Sequence, residues 1–349
     1  MRVAVDCMGG DLGPAPLVLG AAEAASALRC SVILVGDEDQ IRDELEGADY
    51  PRDRVAIQHA SEVVAMDDSP TAAVRRKRDS SMLKAVEAVR EGRADGCISA
   101  GNTGAFMATA KLLLGSIKGI ERPAIATLLP SSGQDVVLLD AGANVDCKPR
   151  HLCQFAIMGD AFARRVLGIA EPRVGLLGIG AEDSKGNELT RRVHQTLSAA
   201  ELNYVGNVEG RDIFNGSVDV VVCDGFIGNI VLKSAEGLAV AVADFLRESL
   251  MASLPRRLGA RLARGAFTEY KRKLDYAERG GAPLLGTTGV CVVCHGSSSA
   301  KAVRNAVGEA AQMLDKGVNA RIADRVAAIA GAGGGLLRHH GAQETDSQG

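Results

Sequence analysis

An excess of charge of either sign is missing from this sequence: 40 Lys and Arg stand against 43 Asp and Glu, for a net charge of -3 and a pI near 6.1. That balance excludes a protein that coats nucleic acid, so any attraction to an anionic partner must be local. No stretch approaches the roughly 20 uninterrupted apolar residues that cross a bilayer. The opening residues, Met1 to Asp6, read as a strand without the apolar core of a signal peptide, and a cytosolic location is expected. No internal repeat recurs at a fixed period. Tryptophan is absent and aromatics make up 3%, beside 46% hydrophobic and 24% charged residues, an ordinary globular composition with enough apolar material for a large core. At 349 residues the chain accommodates two domains or one elaborated α/β unit.

Several chemical signatures are missing too. Gly178-Ile179-Gly180 begins like G-x-G-x-x-G, but Asp183 stands where the third glycine belongs. Lys185 lies between Ser184 and Gly186, so no G-x-x-x-x-G-K-[ST] phosphate loop exists. There is no G-x-S-x-G elbow, and Cys294-His295 is the one cysteine and histidine side by side, at an apparent strand end. Covalent catalysis through Ser or Cys therefore has little support. The 8 cysteines are scattered through apolar or Gly-rich runs, as reduced buried thiols are. Cys291 and Cys294 have ligand-like spacing but no second Cys/His pair nearby, so no metal is expected there.

What is present is an alternation of short β-branched runs with longer Ala/Leu/Glu/Arg-rich segments. This is the pattern of βα units in a mainly parallel sheet covered on both faces. Strands are expected at 3–7, 32–35, 55–58, 96–99, 124–128, 135–139, 173–177, 218–223 and 290–294. Helices are expected at 16–27, 80–91, 150–167, 187–199, 229–254 and 300–313. Residues 1–330 read as one α/β region with a protruding helical segment at about 238–275, and 331–349 as a disordered tail.

Six of the predicted strands end in tight polar clusters, beginning at Asp6, Ser99, Asp140, Gly178, Asp224 and His295. In an open parallel sheet the ligand crevice lies at the carboxyl ends of the strands, so the six are expected to share one rim. Singly, each cluster is explained by a glycine in a turn and an Asp, Asn or Ser capping the next helix. Together, helix-start amides make an anion-binding surface, and phosphate or a phosphorylated molecule is the expected ligand. The candidates are Gly9, Gly10, Asp11, Gly101, Asn102, Thr103, Asn144, Gly186, Gly228 and Ser297. Asp6, Asp11, Asp140 and Asp224 read as orienting groups; four acids on one rim could also hold Mg²⁺.

These residues carry a resemblance. The chain resembles the acyl-acyl-carrier-protein:phosphate acyltransferase family of bacterial phospholipid synthesis, from Met1 to about Val307. The matching segments include Asp6 with Met8-Gly9-Gly10-Asp11, Asp68-Ser69-Pro70, Ser99 to Ala105, and Glu121-Arg122-Pro123-Ala124. They continue with Asp140 to Asn144, Asp146 to Pro149, Glu182 with Lys185 to Glu188, Asp224-Gly225-Phe226 with Gly228-Asn229, Gly280 to Gly286, and His295 to Ser298. The chain departs from the family pattern at Cys7, Leu12, Gly178 and Ala181, where Ala, His, Asn and Glu are usual.

The resemblance implies attack of inorganic phosphate on the thioester of a fatty acyl chain borne by acyl carrier protein, with no organic cofactor. It also implies a homodimer, and a product that feeds a membrane glycerol-3-phosphate acyltransferase. The fold implied is a Rossmann-like α/β/α sandwich related to phosphotransacetylases and to isocitrate and isopropylmalate dehydrogenases. Phosphate is ionised near neutral pH and a thiolate leaves readily, so orientation and charge stabilisation suffice, without metal. On this reading Lys185 pairs with phosphate or the developing oxyanion; a solvated loop lysine is the alternative. Asn229, expected at a helix start, orients phosphate or the thioester carbonyl, or simply caps the helix. His295 donates to the oxyanion or manages the proton of the leaving thiol. A phosphotransacetylase-like enzyme of acyl-coenzyme A and a non-catalytic membrane scaffold are the rival readings.

From Pro255 to Lys273 seven basic residues face one acid, a local charge of +6. Leu238, Val242, Leu246, Leu250, Leu254, Leu258 and Leu262 recur every fourth residue, an apolar stripe restarted at Pro255. Arg257, Leu258, Arg261 and Leu262 are the expected contacts with an acidic carrier or an anionic membrane surface; a dimer interface with a solvated basic face is the alternative. The resemblance favours peripheral membrane contact.

Overall fold

The computed structural model describes residues 1–274 and 276–331. Eleven strands form one sheet: β1 Arg2–Asp6, β2 Ser31–Gly36, β3 Val55–His59, β4 Gly96–Ser99, β5 Ala124–Leu129, β6 Val136–Leu139, β7 Val174–Leu177, β8 Tyr204–Val208, β9 Val220–Val222, β10 Ala282–Leu285 and β11 Val290–Val293. Their order is β3-β2-β1-β4-β11-β10-β5-β6-β9-β7-β8. Strand side chains alternate between faces, so Val3 and Val5 enter one core while Ala4 enters the other. One face is covered by α1 Ala15–Ala27, α6 Pro149–Phe162, α12 Ala300–Asp315 and α13 Val318–Gly331; the other by α4 Ser81–Arg90 and α5 Thr103–Leu113. The remaining helices are α2 Glu38–Leu45, α3 Pro70–Arg76, α7 Glu188–Ser198, α8 Gly225–Met251, α9 Leu254–Leu262, α10 Arg264–Leu274 and α11 Tyr276–Arg279.

The sheet is not parallel throughout, and this moves the site. β10 is antiparallel to both β11 and β5, and β5 is antiparallel to β6. Three successive reversals leave β6, β9 and β7 running opposite to β1, β4 and β11. The six polar clusters therefore divide, three at each end of the strands, and the expectation of a single rim is corrected. The four acids divide with them, Asp6 and Asp11 from Asp140 and Asp224, which removes the basis for one four-acid cation site.

Other boundaries shift for local reasons. The helix expected at 150–167 is α-helical only to Phe162; a π-turn, Ala163–Leu167, carries it to Gly168, which has left-handed backbone (φ 72). α8 starts at Gly225 because Asp224 caps it, accepting from the Phe226 amide at 2.8 Å. Asn229 is thus the fifth residue of the helix and not its cap. Gly331 closes α13, and the rest of the expected tail, 332–349, lies outside the described residues. Cys291 packs beside Cys97 in one core and Cys294 in the other, so the two thiols do not share a site.

Candidate active site

At the β1, β4 and β11 end, the buried Asp6 carboxylate accepts from Ser81 Oγ and Ser99 Oγ, both at 2.6 Å. Burial nevertheless pushes its carboxyl above the ordinary range. A Cβ on Gly9 would lie 2.8 Å from that carboxylate and from Gly101, and one on Gly10 3.2 Å from Leu17, so close packing accounts for these glycines. The Asp11 amide donates to the Gly296 carbonyl at 2.8 Å, joining two clusters. Asn102 caps α5, its Oδ1 accepting from Ala105 N at 2.9 Å while Nδ2 donates to the carbonyls of Met66 and Asp68. Thr103 is the first residue of that helix. His295 is exposed; its Nδ1 accepts from the Ser297 amide at 3.2 Å, with Ser297 Oγ 2.7 Å away. A backbone amide can only donate, so the neutral imidazole carries its proton on Nε2.

At the other end Asp140 is fully buried. Its two oxygens accept from the amides of Ile125 (3.0 Å), Ala143 (2.9 Å) and Asn144 (2.7 Å) and from Asn144 Nδ2 (2.8 Å). The loop amides expected to face an anion are therefore turned onto a carboxylate of the protein itself. A Cβ on Gly228 would collide with the Asp140 carbonyl oxygen, so α8 approaches this loop backbone to backbone. Asn229 is exposed and flanks the same loop: a Cβ on Gly142, whose φ is +136, would lie 3.5 Å from Asn229 Oδ1. Lys185 sits exposed in the loop after β7, which Gly186 turns with φ +99 before Asn187 caps α7. Asn229 and Lys185 thus share one end of the sheet, while His295 belongs to the other.

The two ends are linked by α5. It starts at the Asn102 cap and runs through a core that also holds Ala141, with Ala143 and Leu232 of α8 packed against it. Between α5 and the Asp140 loop lies a cavity of about 250 Å³. Gly104, Met107 and Lys111 line it from α5, opposite Arg122, Ala143 and Asn144. Of the sequence candidates only Asn144 lines this cavity; Asn102 and Thr103 adjoin it through the helix they start, and Asn229 through the loop it flanks. Arg122 and Lys111 were not among the candidates. The signal for Lys111 was present in the spacing of Gly104, Met107, Ala108 and Lys111, which places all four on one face of a helix.

Thiol chemistry is absent from the cavity wall: all eight cysteines are buried, and burial pushes Cys147, Cys153 and Cys294 up to about 12.

The chain matches known proteins over nearly its whole length. Residues 1–321 match the family described as fatty acid synthesis protein. A phosphate acyltransferase of Geobacter sulfurreducens is 52% identical over 326 residues, covering 93% of this chain and 94% of its own. One of Pelotomaculum thermopropionicum is 51% identical over 340 residues, covering 97% and 99%. Among solved structures, a phosphotransacetylase from Streptococcus pyogenes superposes with a TM-score of 0.60 at 17% identity, over 90% of this chain and 94% of that one. A branched-chain phosphotransacylase from Enterococcus faecalis gives 0.54 at 15% identity, over 90% and 99%. At such identities the structural likeness speaks for the fold alone. The sequence matches carry more, and by them the chain belongs to the fatty acid synthesis protein family, the family of the phosphate acyltransferases.

Proposed function

We propose that the chain transfers a long-chain acyl group from the thioester of acyl carrier protein to inorganic phosphate. The observation that carries this reading is the near-full-length identity to relatives named phosphate acyltransferases. A phosphate oxygen attacks the thioester carbonyl carbon and forms the C–O bond. The resulting oxyanion collapses, the C–S bond breaks, and the thiolate leaves with its electron pair and takes up a proton. Nothing in this sequence needs a covalent enzyme intermediate, in keeping with a cavity without an accessible thiol. On this reading His295 Nε2–H, at one end of the sheet, is the donor for the oxyanion or the departing sulfur, while Asn229 and Lys185, at the other, orient the carbonyl and supply positive charge. Gly9, Gly10, Gly101 and Gly228 serve the site by letting loops approach closely.

The apolar face of α8 exposes Phe226, Ile230, Leu238, Val242, Phe245 and Leu246, a surface suited to a second copy of the chain. By length and composition α8 could also cross a membrane, with a mean hydropathy of 1.5 over 18 residues. The basic amphipathic α9 that directly follows it supports a dimer lying against a bilayer, from which a membrane glycerol-3-phosphate acyltransferase collects the acyl phosphate. Sedimentation at micromolar concentration tests the dimer, and a monomer there would remove it.

Incubating the protein with palmitoyl-acyl carrier protein, with and without phosphate, and trapping with hydroxylamine tests the reaction. Phosphate-dependent hydroxamate matched by free carrier thiol is expected. Turnover only with acyl-coenzyme A would move the assignment to a phosphotransacetylase-like enzyme, and silence with both to a scaffold.

A further inference from the structure

The α5 cavity carries two cations that the roles above leave unused. Lys111 Nζ donates to the Glu121 carbonyl oxygen at 3.1 Å, and an Arg122 guanidinium nitrogen to the Val145 carbonyl oxygen at 3.3 Å. Carbonyls bring no counter-charge. Among the described residues no carboxylate lies within 4.0 Å of either cation. The nearest in sequence, Glu121, is occupied: Arg150 holds it at 2.7 Å and His151 at 3.3 Å. Arg122 is half-buried, and a half-buried charge bonded only to a carbonyl is better stabilised when an anion joins it. Its field is felt nearby, since burial first and Arg122 second hold the His151 imidazole below its ordinary range.

The backbone that carries Arg122 is also held in place from both sides. The Glu121 amide donates to Gln154 Oε1 at 2.9 Å, and the Pro123 carbonyl accepts from Asn144 Nδ2 at 2.8 Å. Asn144 is in turn fixed on Asp140. The buried Asp140 thus positions, through Asn144, the backbone that presents Arg122.

Resting on the acyl-transfer reading, we propose that Arg122 and Lys111 clamp the phosphate co-substrate in the α5 cavity. The guanidinium fork fits two phosphate oxygens and Lys111 adds a point charge from the helix face. Gly104, in the first turn of α5, contributes the favourable end of the helix dipole to the same wall. Met107, Ala108 and Ala143 leave an apolar side against which the thioester carbon can be brought to the phosphate. The phosphodiester of the carrier's pantetheine arm offers the same chemistry, and kinetics separates the two.

The test measures KM for phosphate and for palmitoyl-acyl carrier protein in Arg122→Gln, Arg122→Lys and Lys111→Gln, with calorimetric titration of inorganic phosphate alone. Loss of one charge-assisted contact predicts a phosphate KM raised about ten- to a hundredfold in Arg122→Gln. A smaller rise is expected in Arg122→Lys and in Lys111→Gln, and the carrier KM should be unchanged. A raised carrier KM with an unchanged phosphate KM would overturn the assignment in favour of the pantetheine arm; no change in either would overturn the clamp. Lys111 is exposed, so its variant decides the matter if Arg122→Gln does not fold. If the wild type turned over neither acyl donor, titration would still decide: saturable phosphate binding lost in the variants keeps the clamp, and its absence from the wild type removes it.

Discussion

His295 accepts the Ser297 amide at Nδ1, with Ser297 Oγ beside it, so its neutral imidazole carries the proton on Nε2. Replacing it with Ala is expected to lower kcat about a hundredfold or more with little effect on phosphate KM, the pattern of a donor used mainly in the transition state. An equal loss in kcat/KM through phosphate KM alone would place His295 in ground-state binding instead. Glu309 of α12 makes a second prediction. Its Oε1 is buried without a partner, and burial pushes its carboxyl from 4.5 up to about 7. A raised carboxyl favours the protonated folded state, so this group's contribution to stability is complete below about pH 4.5 and is lost as pH rises through about 7. At most about 3 kcal/mol is involved, at roughly 1.4 kcal/mol per pH unit. Urea unfolding of Glu309→Gln should therefore gain stability relative to wild type between pH 5 and 8; an unchanged difference across that range would contradict the burial argument.

At the scale of elements, α9 has no buried residue, and Leu258 and Leu262 are 63% and 82% exposed on one face beside Arg257 and Arg261. Leu258→Glu with Leu262→Glu should abolish flotation with anionic liposomes, and unchanged flotation would remove α9 as the contact. The restart of this helix was legible because Pro255 falls in its first turn, where proline is tolerated. The apolar runs of β1, β2, β4 and β11 were legible for a similar reason: they are local and buried. β10 was not, since Ala282-Pro283-Leu284-Leu285 is short, holds a proline and follows two glycines, which reads as a loop. Yet this strand is one of those that reverse the sheet. Pairing direction is a long-range property that no window of sequence contains, and so the single rim expected from six clusters became two ends joined by α5. Asn229 was misplaced by a smaller error, because Asp224 and Asn229 are both residue types that cap helices and the earlier one won.

For the whole molecule, the strand reversal splits one expected row of βα turns into two groups at opposite ends of the strands, with the α5 cavity beside the Asp140 loop. His295 belongs to one group and Asn229 to the other, and Arg122 and Lys111, without a carboxylate within 4.0 Å among the described residues, line the cavity beside α5. The central claim is that phosphate itself is the nucleophile toward the acyl thioester. Reaction of palmitoyl-acyl carrier protein with fully ¹⁸O-labelled phosphate, followed by mass spectrometry of the acyl product, tests it directly. The account predicts acyl phosphate that retains every labelled oxygen, formed in step with carrier thiol. Unlabelled fatty acid formed at the same rate, with no labelled acyl phosphate before it, would mean that water is the nucleophile and would contradict the account.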